Sequence, residues 1–272
     1  MSKTAHPGLP GTFLARKKSG AIYYRASITY KNKHISLGSF DKREWAHQAY
    51  LEAQAIISSQ SVAFDDYLGT AACPRMLPDE KAVCLFNFRD NGIYIKNPIY
   101  LKKACFEYYY SFLEVYVFDI DDLFYYSEHK IMKRGGHLFV ADCGMQVTVL
   151  SRYGIKSHAV PGRDYIFVNG NPHDMRYGNI HVVNAYHGVT RDSSPIHTSY
   201  HVKIHVNGDY IVGTYPSEEE AAIAYNKAVD VLRSAGCMRS FQTNYIESMT
   251  GKEYAEIYSR ITISDRLYQL TF

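Results

Sequence analysis

Apolar and polar residues alternate along several short stretches of the chain, and the first sharp instance is residues 23–30. There Ala26 and Ile28 fall on one side and Arg25, Ser27 and Thr29 on the other, the signature of a half-buried strand. A shorter strand over 11–17 precedes it across a Ser19-Gly20 turn. Another over 34–40 follows the Lys31-Asn32-Lys33 turn. The period then changes: Ala46, Ala49, Tyr50 and Ala53 recur at helical spacing, and Asp41 with Glu44 three residues on reads as a capping box with Asp in place of Ser or Thr. Small side chains on that stripe let the helix lie close to the sheet.

The same order returns near the C-terminus. Gly188-Val189-Thr190 opens it, and 200–206 reads as a strand with Val202 and Ile204 facing one way. Asn207-Gly208 makes the hairpin turn before a strand over 210–215, and Ser217 with Glu220 starts a second helix. Gly38, Phe40, Ala46, Ala49, Tyr50 and Ala53 align without a gap on Gly213, Tyr215, Ala221, Ala224, Tyr225 and Ala228, so the chain carries an internal duplicate.

Between the copies, 58–81 reads as a linker, its serines and its Gly69, Pro74 and Pro78 breaking regular structure. Alternating aromatic and β-branched residues over 82–165 predict strands at 112–118, 130–133, 137–141 and 146–150. Asp119, Asp121 and Asp122 form an acidic group that fits either a helix-capping turn or a metal site. The predicted class is α+β: two small three-stranded sheet-plus-helix domains flank a β-rich middle. The expected boundaries are a tail at 1–10, domains at 11–57, 82–186 and 187–240, and an extension at 241–272 with one helix over 251–260.

Two sets of residues resemble known families. Leu37-Gly38-Ser39-Phe40 and Glu219-Glu220-Ala221-Ala222-Ile223-Ala224-Tyr225-Asn226 are similar to the strand end and helix of the ethylene-response-factor (AP2-like) DNA-binding domain. That resemblance implies a sheet lying in the major groove of duplex DNA, its outward side chains touching bases and phosphates. Carried over by position, the contacting residues are Arg16, Lys18, Arg25, Ser27, Thr29, His34 and Ser36 in the first copy. In the second they are Arg191, His201, Lys203 and His205, with Asp209 beside them. The first face is expected to bind phosphate better, having three firm cations against two. The family's groove-facing Trp and several of its Arg residues are absent from both copies.

The second resemblance is to the HNH ββα-metal nucleases, a subfamily of which carries the same DNA-binding module. It rests on Asn169-Gly170-Asn171-Pro172, Asp174, Arg176 and Asn179-Ile180. The resemblance implies that the preceding strand should end in an Asp-His pair, the Asp to help hold a divalent metal and the His to deprotonate water. Here those positions are Ile166 and Phe167, which can do neither, so the motif (Asn169, His173, Asp174, Arg176 and Asn179) reads as vestigial, with no catalytic residue, metal or cofactor. His158, His173, His181 and His187 lie close enough in sequence to keep a relocated active site as an alternative.

Composition adds boundaries. Residues are 46% hydrophobic and 21% charged with a net charge of +3, a soluble globular balance that permits a polyanion partner and argues against an acidic DNA mimic. Cys73, Cys84, Cys105, Cys143 and Cys237 are odd in number and show no CxxC, which favours free thiols in a reducing cytoplasm over a disulfide framework or zinc finger. There is no signal-peptide core and no run long enough to span a bilayer, so no membrane partner is expected. The expected function is a non-catalytic duplex-DNA-binding protein of phage or mobile-element origin, derived from an HNH endonuclease. The alternatives are an inhibitor that binds a host or defence nuclease, a role suited to the 25 tyrosines, and an active divergent nuclease.

Overall fold

In the structure, a computed structural model that describes residues 9–59, 62–69, 74–156, 159–193 and 197–272, the alternating segments are strands. β1 (Thr12–Arg16), β2 (Ile22–Tyr30) and β3 (Lys33–Phe40) form an antiparallel sheet with β2 in the centre. Helix α1 (Arg43–Ser58) covers one face, burying Ala46, Ala49, Ala53 and Ile56 against Ala26, Ile28, Ile35 and Leu37. Ala26 pairs with Gly38 and Ser27 with Ser36, so Leu37 is the extra residue of a β-bulge that sharpens the local twist. The expected Asp41 cap does not form. Lys42 is the N-cap and offers no side-chain acceptor, leaving Glu44 in the first turn as the only favourable charge there.

The predicted linker is partly structured. It holds α2 (Phe64–Gly69), whose Phe64 ring lies 5.0 Å from Phe86, 4.4 Å from Tyr100 and 5.2 Å from Tyr109. Residues 79–91, expected to lead into strands, form helix α3 (Asp79–Asn91), in which 82–88 are all buried. A helix covered on every side shows no polar stripe, so periodicity cannot reveal it. β4 (Ile99–Leu101), β5 (Cys105–Ser111) and β6 (Glu114–Asp119) make a second sheet. After α4 (Leu123–Glu128), β7 (Met132–Arg134), β8 (His137–Asp142) and β9 (Met145–Thr148) make a third.

Beyond these lie the hairpin β10 (Tyr165–Phe167) and β11 (Ile180–Val182), then the sheet β12 (Val189–Ser193), β13 (Thr198–His205) and β14 (Asp209–Tyr215) with helix α5 (Glu218–Ser234). Ser217 caps α5 by accepting the Glu220 N–H at 3.1 Å. Residues 221–226 of α5 are buried all round, because Cys237, Phe241, Ile246, Ile261, Ile263 and Leu267 join the same core as the sheet's Val202, Ile204 and Val212. Helix α6 (Gly251–Arg260) coincides with the predicted one and opens with a complete Thr250/Glu253 capping box.

The chain divides into two compact units, Met1–Val149 with Asn171–Asn179, and Leu150–Gly170 with Ile180–Phe272, a division that cuts across the expected middle domain. The architecture is mixed α and β with several small three-stranded sheets. No helix among the described residues is long and apolar enough to cross a membrane.

Candidate nucleic-acid interface

Directly opposed residues of an antiparallel pair share a face of the sheet, so the register assigns each side chain. In the first sheet Ser27 opposes Ser36 and Thr29 opposes His34, all on the face that α1 does not cover. Arg25, Thr29, His34 and Ser36 are exposed there. Ser27 is 9% exposed: its short hydroxyl sits on the central strand below its neighbours, so it presents little to a ligand. Arg16 opposes Ile22 and belongs to the same alternating set as Ala26, which is the helix-side set. Arg16 is exposed at the strand end, and Phe13 and Ala15, opposite Arg25 and Tyr23, occupy the open face. The Arg25 guanidinium lies 5.6 Å from the Tyr23 ring centroid. Lys18 is exposed in the β1–β2 turn rather than on the sheet.

In the second sheet Val202 and Ile204 are buried while His201, Lys203 and His205 point outward. His201 is engaged by Thr214 at 2.9 Å and Asp192 at 3.4 Å, and His205 by Asp209 at 2.7 Å. Arg191 opposes Tyr200, which alternates with Val202, so it too is in the helix-side set at a strand end. Each open face therefore carries one Arg or Lys, Arg25 on the first and Lys203 on the second.

The hairpin of β10 and β11 holds the nuclease-like residues. Ile166 opposes His181 and Phe167 opposes Ile180. The helix that the ββα resemblance implies after the Asn-Gly turn, over Asn179 and His181, is not formed: a 3-10 turn at Tyr177–Asn179 passes straight into β11, as the β-branched Ile180 and Val182 favour. The loop is pinned within its own unit. Val117 donates to the His173 carbonyl at 2.9 Å, Met175 donates to the Val117 carbonyl at 2.8 Å, and Tyr177 N–H donates to Asp119 at 2.7 Å.

The buried Asp174 carboxylate takes Arg176 Nε at 2.8 Å and Nη2 at 2.6 Å, a bidentate grip that holds the Arg176 pKa above its ordinary value. The buried Asn179 amide donates to the carbonyls of Asn171 at 3.2 Å and Asp174 at 2.8 Å. Asp174, Arg176 and Asn179 thus brace the loop. Asn169 is exposed within the turn that follows β10, and the exposed His173 ring lies 4.9 Å from Tyr116. His187 N–H is bonded to Asn244 at 2.6 Å, and His158 lies outside the described residues. Among the described residues no three His, Cys, Asp or Glu side chains converge as a metal cage.

The basic residues that follow α4 are mostly neutralised, Lys130 by Glu80 at 2.6 Å and Lys133 by Glu114. Cys84, Cys105, Cys143 and Cys237 are free thiols, and burial pushes Cys84 up to about 12; Cys73 lies outside the described residues. Sequence reasoning missed one feature of the second unit, a cavity of about 620 Å³ lined by Lys156, Arg163, Lys203 and Arg239. Its cations come from four separate segments, so no motif links them. Comparison of the chain with family models, with curated proteins and with solved structures finds no match.

Proposed function

We propose that this protein binds duplex DNA without cutting it, and that it derives from a phage or mobile-element HNH endonuclease. The observation that supports this reading is the pair of three-stranded sheets, each covered by a helix on one face and open on the other, where Arg25 and Lys203 stand among hydroxyl and imidazole groups. Such a face fits a major groove, with the cations on phosphates and the Thr, Ser and His groups as short-range donors or acceptors. One strong cation per face makes each site weak, and two sites on one chain raise each other's effective concentration. The absence of cutting follows from Ile166 and Phe167 at the positions of base and ligand, and from Asp174 being committed to Arg176.

The test is fluorescence anisotropy on a duplex of about 20 base pairs across a salt series. Arg25→Ala and Lys203→Ala should each reduce the log–log salt slope by about 1. Affinity that ignores both salt and these substitutions would end the proposal. Divalent-ion-dependent nicking that vanishes in His173→Ala would replace it with a nuclease.

A second reading, a protein-binding module that inhibits a host or defence nuclease, is favoured by Phe13, Ala15 and Tyr23 on the open face beside Arg25. It predicts a stable complex recovered from host lysate after nuclease treatment, with little salt-sensitive DNA affinity.

A further inference from the structure

The cavity of the second unit has the size of a small-molecule site and a wall rich in cations. Four of its lining side chains are Lys or Arg, and two, Asp164 and Asp209, are carboxylates. Both carboxylates are already engaged. Arg163 donates to Asp164 through Nε at 3.1 Å and Nη2 at 2.7 Å, and His205 meets Asp209 at 2.7 Å. Arg239 donates to the carbonyl of Val206, and no carboxylate among the described residues forms an ion pair with it.

Lys156 is the anomaly. Its Nζ is buried and has no hydrogen-bond acceptor among the described residues. An ammonium withdrawn from water without a partner is costly, and burial lowers its pKa to about 8 against the opposing pull of Asp164 and Glu218. No carboxylate among the described residues reaches it with a hydrogen bond. Tyr225 and Phe241 add aromatic surface to the same wall, and Thr190 a hydroxyl.

We infer that this cavity binds a small phosphate-bearing ligand of nucleotide size, with Lys156 as the inner cation, Lys203 and Arg239 completing the phosphate site, and the aromatic wall beside it. The backbone of a duplex lying across the sheet is a poor fit, because the Lys156 ammonium is withdrawn from the surface that a duplex would touch. The inference is independent of the DNA-binding reading, although Lys203 borders both surfaces.

The experiment is calorimetric titration of the full chain with inorganic phosphate and with deoxyadenosine monophosphate, followed by competition with an unlabelled duplex. Both small probes should bind, the nucleotide more tightly, and each should raise the melting temperature by mass action. Lys156→Met preserves the side chain's length and should weaken both at least about ten-fold while leaving the unliganded protein as stable or more so. Arg25→Ala should weaken duplex binding and leave phosphate binding unchanged, which separates failure of the two readings. The inference is overturned if neither probe binds, or if Lys156→Met folds and binds as the parent does. It is also overturned if the duplex competes with phosphate and Arg25→Ala abolishes both, since the phosphate would then be that of DNA on the sheet.

Discussion

The N-terminal and C-terminal sheet-and-helix modules share their geometry down to single residues, and they differ where each is joined to the rest of its unit. Gly11 and Gly188 both have positive φ, at 73° and 70°, and both lie against the aromatic ring of the helix, Tyr50 in one and Tyr225 in the other. Ser27 N–H donates to Gly11 O at 3.1 Å, and Lys203 N–H donates to Gly188 O at 2.9 Å. The bulges also match, with Leu37 and Val212 as the extra residues. What differs is the helix's second face.

At equivalent positions α1 carries Glu52 and α5 carries Lys227. Glu52 accepts the N–H groups of Met76, at 3.1 Å, and Leu77, at 2.8 Å, where the chain approaches α3. Lys227 donates to the carbonyls of Tyr258 at 2.9 Å and Ile261 at 2.8 Å, where α6 ends. Opposite charges at one position anchor opposite ends of a segment, an anion to free N–H groups and a cation to free C=O groups. One residue earlier, Leu51 is 44% exposed, whereas Asn226 is buried and exchanges hydrogen bonds with the Asn244 backbone at 2.7 and 2.8 Å. A duplicated scaffold can thus keep its sheet-facing contacts and rewrite the opposite face to hold a different neighbour.

Substitutions sharpen this comparison. The largest effect is expected at Gly188→Ala, where the new Cβ would collide with the Tyr225 ring and with the Lys203 backbone carbonyl. The cost is more than about 3 kcal/mol in urea unfolding of the second unit. Gly11→Ala meets only the Tyr50 side chain among its nearest atoms, so its penalty should be smaller, and equal penalties would break the distinction.

Next, Asn226→Ala strands the Asn244 backbone groups and should cost about 2–3 kcal/mol, against less than about 0.5 kcal/mol for Leu51→Ala. Lys227→Met and Glu52→Gln should each cost about 1–2 kcal/mol, with hydrogen exchange accelerated at the end of α6 in the first and near Leu77 in the second.

Acid bears on the second unit through Asp164. In the second unit burial raises the Asp164 pKa, but hydrogen bonds from Arg163, Val160 N–H and Asn184 outweigh it and leave the carboxylate at about 2. A folded pKa below the unfolded value contributes stability above about pH 4 that is lost as pH falls through about 2. Asp164→Asn should flatten that part of the second unit's stability profile, measured by near-ultraviolet circular dichroism melts.

The smallest effect is in the turns. Lys31 and Asn32 hold positive φ at 45° and 61° without glycine, so Asn32→Gly should gain about 0.5–1 kcal/mol. The second copy offers no counterpart, because its hairpin closes at His205 and Asp209 over three residues and neither Asn207 nor Gly208 holds positive φ.

The sheet strands, the stripes of alanine on α1 and α5, the repeat itself and α6 were legible in the residues, because each rests on a local period or a local cap. Helix α3 was not, because burial on every side erases the period that would announce it. Nor were the faces of Arg16 and Arg191. Each stands at a strand end, and its side of the sheet is set by register with the neighbouring strand. Whether Asp174 was a ligand or a brace depended on where Arg176 turned. The cavity around Lys156 gathers charges from residues far apart in the chain, and such convergence belongs to tertiary structure, since only packing decides which distant side chains share a wall.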